Sequence, residues 1–138
     1  MKYLLDTCVV SEFVKKKPSA TLVLWLQATD DLLMGLSVIS IGEIQDGISR
    51  LHAGKRKSQL QHWLETELIP RFDNRILPVT TDDALRWGKL LGQARLEGQP
   101  LPQTDCLIAA IALNRGLVLV SRNTKDFSRM GVPMHNPL

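Results

Sequence analysis

The chain has 138 residues, of which 44% are hydrophobic and 22% are charged, a composition that suits a single globular domain with a sizeable core. Its longest apolar stretches, such as Leu107–Leu113, are far shorter than the roughly 20 residues of a membrane-spanning helix, and no secretory signal is recognisable, so a cytoplasmic protein is expected. The net charge of +3 and the pI near 9.1 favour a polyanionic partner.

The first half of the chain alternates between apolar strands and helices. The predicted elements are a strand at Lys2–Leu5, a helix from Thr7 to about Lys16 that Pro18 ends, a helix from about Ser19 to Ala28, a strand at Leu32–Val38 and a helix at Ile39–Leu51 that Gly54 stops. Thr7 is the expected N-cap of the first of these helices.

The second half of the chain continues the same alternation. The predicted elements are a helix at about Lys57–Leu68 that ends before Pro70, a strand at Arg75–Val79, a helix from the capping box Thr80–Asp83 to about Glu97, a capped helix at Thr104–Asn114, a strand at Leu117–Ser121 and a short strand around Val132–His135. Strands separated by helices pair in parallel. The expected fold class is therefore α/β, a three-layer α/β/α sandwich with a mostly parallel central sheet. No repeat or linker divides it, so residues 1–138 are expected to form one domain.

The basic residues and the cysteines indicate less about function. Three basic clusters, Lys15–Lys17, Lys55–Lys57 and the group Arg122, Lys125 and Arg129, are typical either of solvated helix ends or of a nucleic-acid surface. Cys8 and Cys106 lack zinc-site spacing and are expected to be buried free thiols.

Several acidic or polar residues fall where ligands bind in parallel sheets, beyond the carboxyl ends of strands. Asp6 follows the first strand, Asn123 and Asp126 follow the strand at Leu117–Ser121, and Asp105 begins an apolar helix. Each has a structural alternative, because Asp6 can cap a turn or helix and Asp105 can stabilise a helix N-terminus.

Glu43 is more informative than the other acids. The stripe formed by Ile41, Ile44, Ile48 and Leu51 leaves it off the core face of its helix. Its neighbours one turn away are Ser40 and Gly47, which are small enough to let a ligand approach.

Carboxylates gathered at one place repel each other and require neutralisation. Oxygen-only ligands select Mg²⁺ or Mn²⁺ over zinc, and Mg²⁺ takes phosphate oxygens as further ligands. The chemistry expected of such a site is the hydrolysis of a phosphodiester.

Four segments together carry a family resemblance: KYLLDTCVVSE, SVISIGEIQDGI, QTDCLIAAIALNRGLVLVSRN and TKDF. In this order and spacing they resemble the motifs of VapC-type PIN-domain toxins, which are ribonucleases of type II toxin–antitoxin pairs. The residues between Ala53 and Arg95 carry no such motif.

The resemblance implies a set of functional residues and partners. Asp6, Glu43 and Asp105 correspond to the acidic triad that holds Mg²⁺, for which Mn²⁺ can substitute; Asn123 and Asp126 both match positions of a fourth ligand, and we favour Asp126. Thr7 and Ser121 match supporting hydroxyl positions, whereas Cys8 departs from the family's usual Asn. The implied partners are an RNA substrate, a VapB-like antitoxin and a second copy of the chain.

Other functions match fewer of these residues. An aspartyl phosphohydrolase would use Asp6 as nucleophile but has Cys8 where a second Asp is usual, and a Cys/His hydrolase using His52, His62 or His135 lacks any motif. A PIN-like binding module without catalysis is the non-enzymatic alternative, and the presence of all three triad acids argues against it.

Overall fold

The computed structural model describes all residues from 1 to 138 and contains one sheet of parallel strands. The five strands are β1 (Tyr3–Leu5), β2 (Met34–Ser37), β3 (Ile76–Leu77), β4 (Val118–Val120) and β5 (Met134–His135). Their order in the sheet is β3-β2-β1-β4-β5, which puts β1 at the centre. All the carboxyl ends of the strands therefore meet at one edge of the sheet.

Eight helices connect and cover the strands. They are α1 (Thr7–Ser11), α2 (Ala20–Gln27), α3 (Val38–Ser49), α4 (Lys55–Trp63), α5 (Ile69–Phe72), α6 (Thr81–Leu96), α7 (Gln103–Asn114) and α8 (Thr124–Ser128). Short 3₁₀ turns lie at Glu12–Val14, Asp31–Leu33 and Asp73–Arg75. None of these helices combines the length and the apolarity that crossing a bilayer requires.

The hydrophobic core is divided in two by the sheet. Leu4 and Leu119 pack with α6, α7 and α8 on one face, whereas Leu5 and Val120 pack with α1 to α5 on the other. Successive strand residues point to opposite faces, so adjacent residues of β1 and of β4 enter different cores. This confirms the predicted three-layer α/β/α sandwich with a parallel central sheet.

Two predicted helix starts were wrong in detail. The N-cap of α1 is Asp6 rather than Thr7, because the Asp6 carboxylate accepts a hydrogen bond from the Thr7 backbone N–H. Helix α7 begins at Gln103 after Pro102 and has no side-chain cap, so the expected cap at Thr104 is absent. In both cases the acidic residue at the helix start belongs to the site described below.

Two further boundaries differ from the prediction. The strand expected from Leu32 begins at Met34, because exposed Leu32 and Leu33 form a 3₁₀ turn capped by Asp30. The helix expected to end before Pro70 continues to Phe72 through a π-helical turn at Leu64–Leu68. The wider turn accommodates Pro70, which lacks the N–H needed for a normal helical hydrogen bond.

Candidate metal centre and active site

Asp6 and Ser121 lie side by side at the carboxyl ends of the two central strands. Leu5 of β1 is in register with Val120 of β4, so the next residue of each strand follows at the same level. Ser121 Oγ donates a hydrogen bond of 2.8 Å to Asp6 Oδ2, and the Thr7 backbone N–H donates one of 2.8 Å to Asp6 Oδ1. These bonds fix the Asp6 carboxylate, which is only 6% exposed.

Cys8 completes the surroundings of Asp6. Its Sγ lies 3.5 Å from Asp6 Oδ2 and 3.5 Å from Ser121 Oγ. Both cysteines are free, as predicted, but only Cys106 is buried, whereas Cys8 is half-buried at the site. The thiol is therefore a direct neighbour of the first acidic residue, and it also packs against the margin of the core.

Glu43 reaches the same edge of the sheet from α3. Thr7 Oγ1 donates a hydrogen bond of 2.6 Å to Glu43 Oε1 and lies 2.9 Å from Ser40 Oγ. The single hydroxyl proton of Thr7 is therefore directed at two acceptors, Ser40 Oγ and Glu43 Oε1, of which the carboxylate oxygen is the nearer. The sequence predicts Ser40 only as a small neighbour of Glu43, although its position one turn before Glu43 also indicates a polar contact at the site.

Asp105, Asn123 and Asp126 form the other half of the site. Asp105 lies in the first turn of α7, and Asp126 lies in the first turn of α8. Asn123 Nδ2 donates to Asp105 Oδ2 at 3.1 Å and to Asp126 Oδ2 at 3.3 Å. The Asn123 backbone N–H donates to Ser121 Oγ at 3.0 Å, which connects this half of the site to Asp6.

The acidic residues act on each other electrostatically. The pKa of Asp105 is raised to about 6, first by burial and then by the negative charges of Asp6, Glu43 and Asp126. The Asn123 hydrogen bond acts in the opposite direction but is outweighed. Asp105 is thus within electrostatic range of the other three predicted acids. Thr7, Ser121 and Asn123 form hydrogen bonds with acids of this group.

The donor set suits a hard divalent cation. Every functional group at the site except the Cys8 thiol and the Asn123 amide nitrogen offers oxygen, the ligand that Mg²⁺ and Mn²⁺ prefer. No three His, Cys, Asp or Glu side chains lie close enough together to enclose an ion. The amide of Asn123 lies instead between Asp105 and Asp126, where it supplies the partial positive charge that the two carboxylates share.

A groove of about 260 Å³ opens beside Glu43, between α1, α3 and α4. Its polar end is formed by Thr7 and Glu43. Its apolar walls are formed by Val14, Ile44, Ile48, Leu51, Leu60 and Trp63.

Comparison with known proteins identifies the family of the chain. The model of the PIN domain family matches residues 3–133. This chain belongs to the PIN-domain family. A VapC ribonuclease of Sinorhizobium fredii is 33% identical over 96% of this chain and 95% of its own length, which places the chain among VapC ribonucleases.

Two further matches cover nearly the whole chain. Toxin FitB of Neisseria gonorrhoeae is 34% identical over 97% of this chain and 96% of its own length. A solved structure of FitAB bound to a DNA fragment superposes with a TM-score of 0.90 at 31% identity, covering 98% of this chain and 94% of that one. The resemblance drawn from the four sequence segments is thereby confirmed.

The alternative chemistries find no support in the site. Both oxygens of the Asp6 carboxylate already accept hydrogen bonds, which lowers its suitability as a nucleophile. His52 and His62 are exposed, and His135 packs against Trp25 with ring centroids 5.4 Å apart. None of the histidines forms a hydrogen bond with a cysteine.

Proposed function

We propose that Asp6, Glu43, Asp105 and Asp126 bind a divalent cation, Mg²⁺ in the cell with Mn²⁺ able to substitute, and that this site cleaves RNA. The protein is an endoribonuclease of the VapC type. The observation that supports the assignment is that these residues come from four separate elements to one sheet edge, where burial and then the charges of the other three raise the pKa of Asp105.

The bound ion and the side chains of the site have different roles. When bound, the ion supplies positive charge to the phosphodiester and lowers the pKa of an attacking water. Ser121 and Thr7 hold the carboxylates of Asp6 and Glu43 at fixed orientations. Preorganised polar groups of this kind are the main source of catalysis in phosphoryl transfer, since they need no rearrangement during the reaction.

The assignment is tested with Glu43→Gln and with Asp46→Asn as the matched control. Asp46 lies one turn further along α3, where it is exposed and its Oδ2 is 3.3 Å from the Arg50 guanidinium. The Asp46→Asn substitution therefore removes the same charge without changing the site. We expect cleavage of RNA by purified chain to fall by more than about 100-fold in Glu43→Gln, because even outer residues of metal sites cost about 10–100-fold. Asp46→Asn should cleave normally, and cleavage that persists in excess EDTA would contradict the metal-dependent mechanism.

We further propose that the chain is the toxin of a toxin–antitoxin pair in the cytoplasm and that residues 1–138 form one nuclease domain. An antitoxin segment with apolar side chains suits the groove between α1, α3 and α4. A basic side chain of the same segment suits Glu43 at the polar end of the groove. Occupation of the groove would cover Glu43 and thereby inhibit the nuclease.

A further inference from the structure

The fold brings together basic runs that are far apart in the sequence. Lys15–Lys17 follow the 3₁₀ turn at the end of the first helical segment, and Lys55–Lys57 begin α4. The Arg56 guanidinium donates a hydrogen bond of 3.3 Å to the carbonyl oxygen of Val14, the residue before Lys15. The two runs therefore form one surface, although about 40 residues separate them in the chain.

A third cation lies near this surface. Arg122 stands between Ser121 and Asn123, two residues of the site, and its charge helps to lower the pKa of Glu12. The larger cause of that lowered pKa is the hydrogen bond between Glu12 and Lys15. Glu12 thus contacts Lys15 and is within electrostatic range of Arg122, in the loop after β4. We call Lys15–Lys17, Lys55, Arg56 and Arg122 the basic rim.

The positive charge of the basic rim is largely uncompensated. Of its members only Lys15 takes part in an ion pair, with the buried Glu12. Lys16, Lys17 and Arg56 are exposed, and the first turn of α4 contains no acidic residue. Like charges held close together destabilise a fold unless an anion binds them, so the rim is better explained by a polyanionic ligand than by stability.

The basic rim lies within reach of the carboxylate cluster. Helix α1 and the 3₁₀ turn run without interruption from Thr7, at the cluster, to Val14, at the rim. With a rise of about 1.5 Å per residue, eight helical residues span roughly 12 Å. A nucleic acid strand whose phosphodiester lies at the cluster would pass over the rim within a few nucleotides.

We propose that the basic rim binds backbone phosphates of the RNA strand next to the phosphodiester that is cleaved. This inference rests on the proposed function and adds a binding surface to it. Flexible lysines without exposed aromatic neighbours contact phosphates rather than base edges, so the rim contributes affinity and little sequence preference. It positions the strand, while the choice of cleavage site lies elsewhere.

The experiment measures binding of a labelled single-stranded RNA to the purified chain in EDTA, where no cleavage occurs. The test variant is Lys16→Ala/Lys17→Ala/Arg56→Ala. The control is Lys2→Ala/Arg86→Ala/Arg95→Ala, which removes the same charge from exposed positions. Lys2 precedes β1 at the amino-terminal end of the strands, and Arg86 and Arg95 lie on α6. Circular dichroism verifies that both variants are folded.

Each phosphate contact with a single strand contributes a slope of about 0.7 to the dependence of log affinity on log salt. Between roughly 0.05 and 0.2 M salt, the unsubstituted chain should therefore lose about 20-fold more affinity than the test variant. The control variant should follow the unsubstituted chain. Equal affinity and equal salt dependence of the two variants would overturn the proposal.

Two other outcomes separate this inference from the proposed function. If the unsubstituted chain binds RNA through the rim but fails to cut it when Mg²⁺ is added, the proposed role of the rim is supported and the proposed nuclease site is contradicted. If the test variant keeps its RNA affinity but loses affinity for an acidic protein partner, the rim is a protein contact and the proposal is wrong.

Discussion

Asp6 and Asp105 share one site, yet their surroundings give them different properties. Both oxygens of Asp6 accept hydrogen bonds, from Thr7, Ser121 and Cys8. Asp105 accepts one from Asn123, and burial together with three neighbouring carboxylates raises its pKa to about 6. In the metal-free protein, the carboxyl group of Asp105 therefore resists ionisation more than an ordinary aspartate does.

This difference predicts how stability depends on pH without metal. The pKa of Asp105 is about 6 in the folded chain against an ordinary value of 3.8, so the folded state holds a proton that the unfolded state releases. The free energy of unfolding should therefore fall as pH rises from about 4 to about 6. Asp105→Asn should remove this contribution and stabilise the chain at pH 7 by on the order of 1–2 kcal/mol, after allowance for solvent screening.

Urea denaturation in EDTA at several pH values measures this effect. The same variant should lose RNA cleavage, so stability and activity change in opposite directions. A variant that is less stable than the unsubstituted chain at pH 7 would assign Asp105 to a structural role at the start of α7.

Asp126 and Asn123 are expected to differ in their importance for Mg²⁺. Asp126 carries a full charge, whereas the Asn123 amide bridges Asp105 and Asp126 at 3.1 and 3.3 Å. Asp126→Asn should raise the Mg²⁺ concentration for half-maximal cleavage by about tenfold or more, and Asn123→Ala should raise it less. The reverse order in the two titrations would make Asn123 the ligand and Asp126 a helix-stabilising residue.

At the scale of elements, a buried ion pair joins α6 to α7. Asp83 is fully buried in the capping box of α6, and Arg115, just after α7, donates to it at 2.9 Å. Burial opposes ionisation of Asp83, but hydrogen bonds from Arg115, Thr80 and Asn114 outweigh it and lower its pKa to about 2. Because α7 carries Asp105 at its other end, this contact also fixes one side of the site.

Arg115→Ala should leave the Asp83 charge buried without its partner and cost about 3–5 kcal/mol of unfolding free energy. Arg95→Ala, on the exposed side of α6, should change it by less than about 0.5 kcal/mol. The stabilisation by ionised Asp83 should disappear as pH falls from about 4 to about 2, since its pKa is lowered from 3.8. A small effect of Arg115→Ala in chemical denaturation would show that water replaces the arginine.

At the scale of the whole molecule, the outer face of α6 suits the expected homodimer. Leu85, Gly88, Gly92 and Leu96 share this face, and the two leucines are 59% and 84% exposed. Nothing in the chain lies within 4 Å of a Cβ built on either glycine, so packing within one copy does not require them. Glycine inside a helix costs about 1 kcal/mol relative to alanine, and a close approach by a second helix would explain both positions.

Light scattering tests this arrangement. The unsubstituted chain should have twice the monomer mass of 15.5 kDa, and Leu85→Glu/Leu96→Glu should return it to the monomer mass. Leu24→Glu, at an equally exposed leucine on α2, is the matched control and should remain dimeric. A dimer that survives the α6 substitutions would place the contact on another face.

The alternation of elements, the parallel sheet and the acidic residues at the strand ends could all be predicted from the sequence, because they depend on local apolar periodicity and on where apolar runs stop. The motifs near Asp6, Glu43, Asp105 and Asp126 also identified the family. Tertiary structure alone decided the contacts between Ser121 and Asp6, between Thr7 and Glu43, and between Arg56 and Val14, which join residues 115, 36 and 42 positions apart. Such contacts depend on placing two atoms about 3 Å apart, and packing of whole elements, rather than any repeating pattern, sets that distance. Tertiary structure also decided that the helix continues through Pro70, a residue at which local propensity predicts a helix end. A π-helical turn five residues long precedes Pro70 and accommodates it.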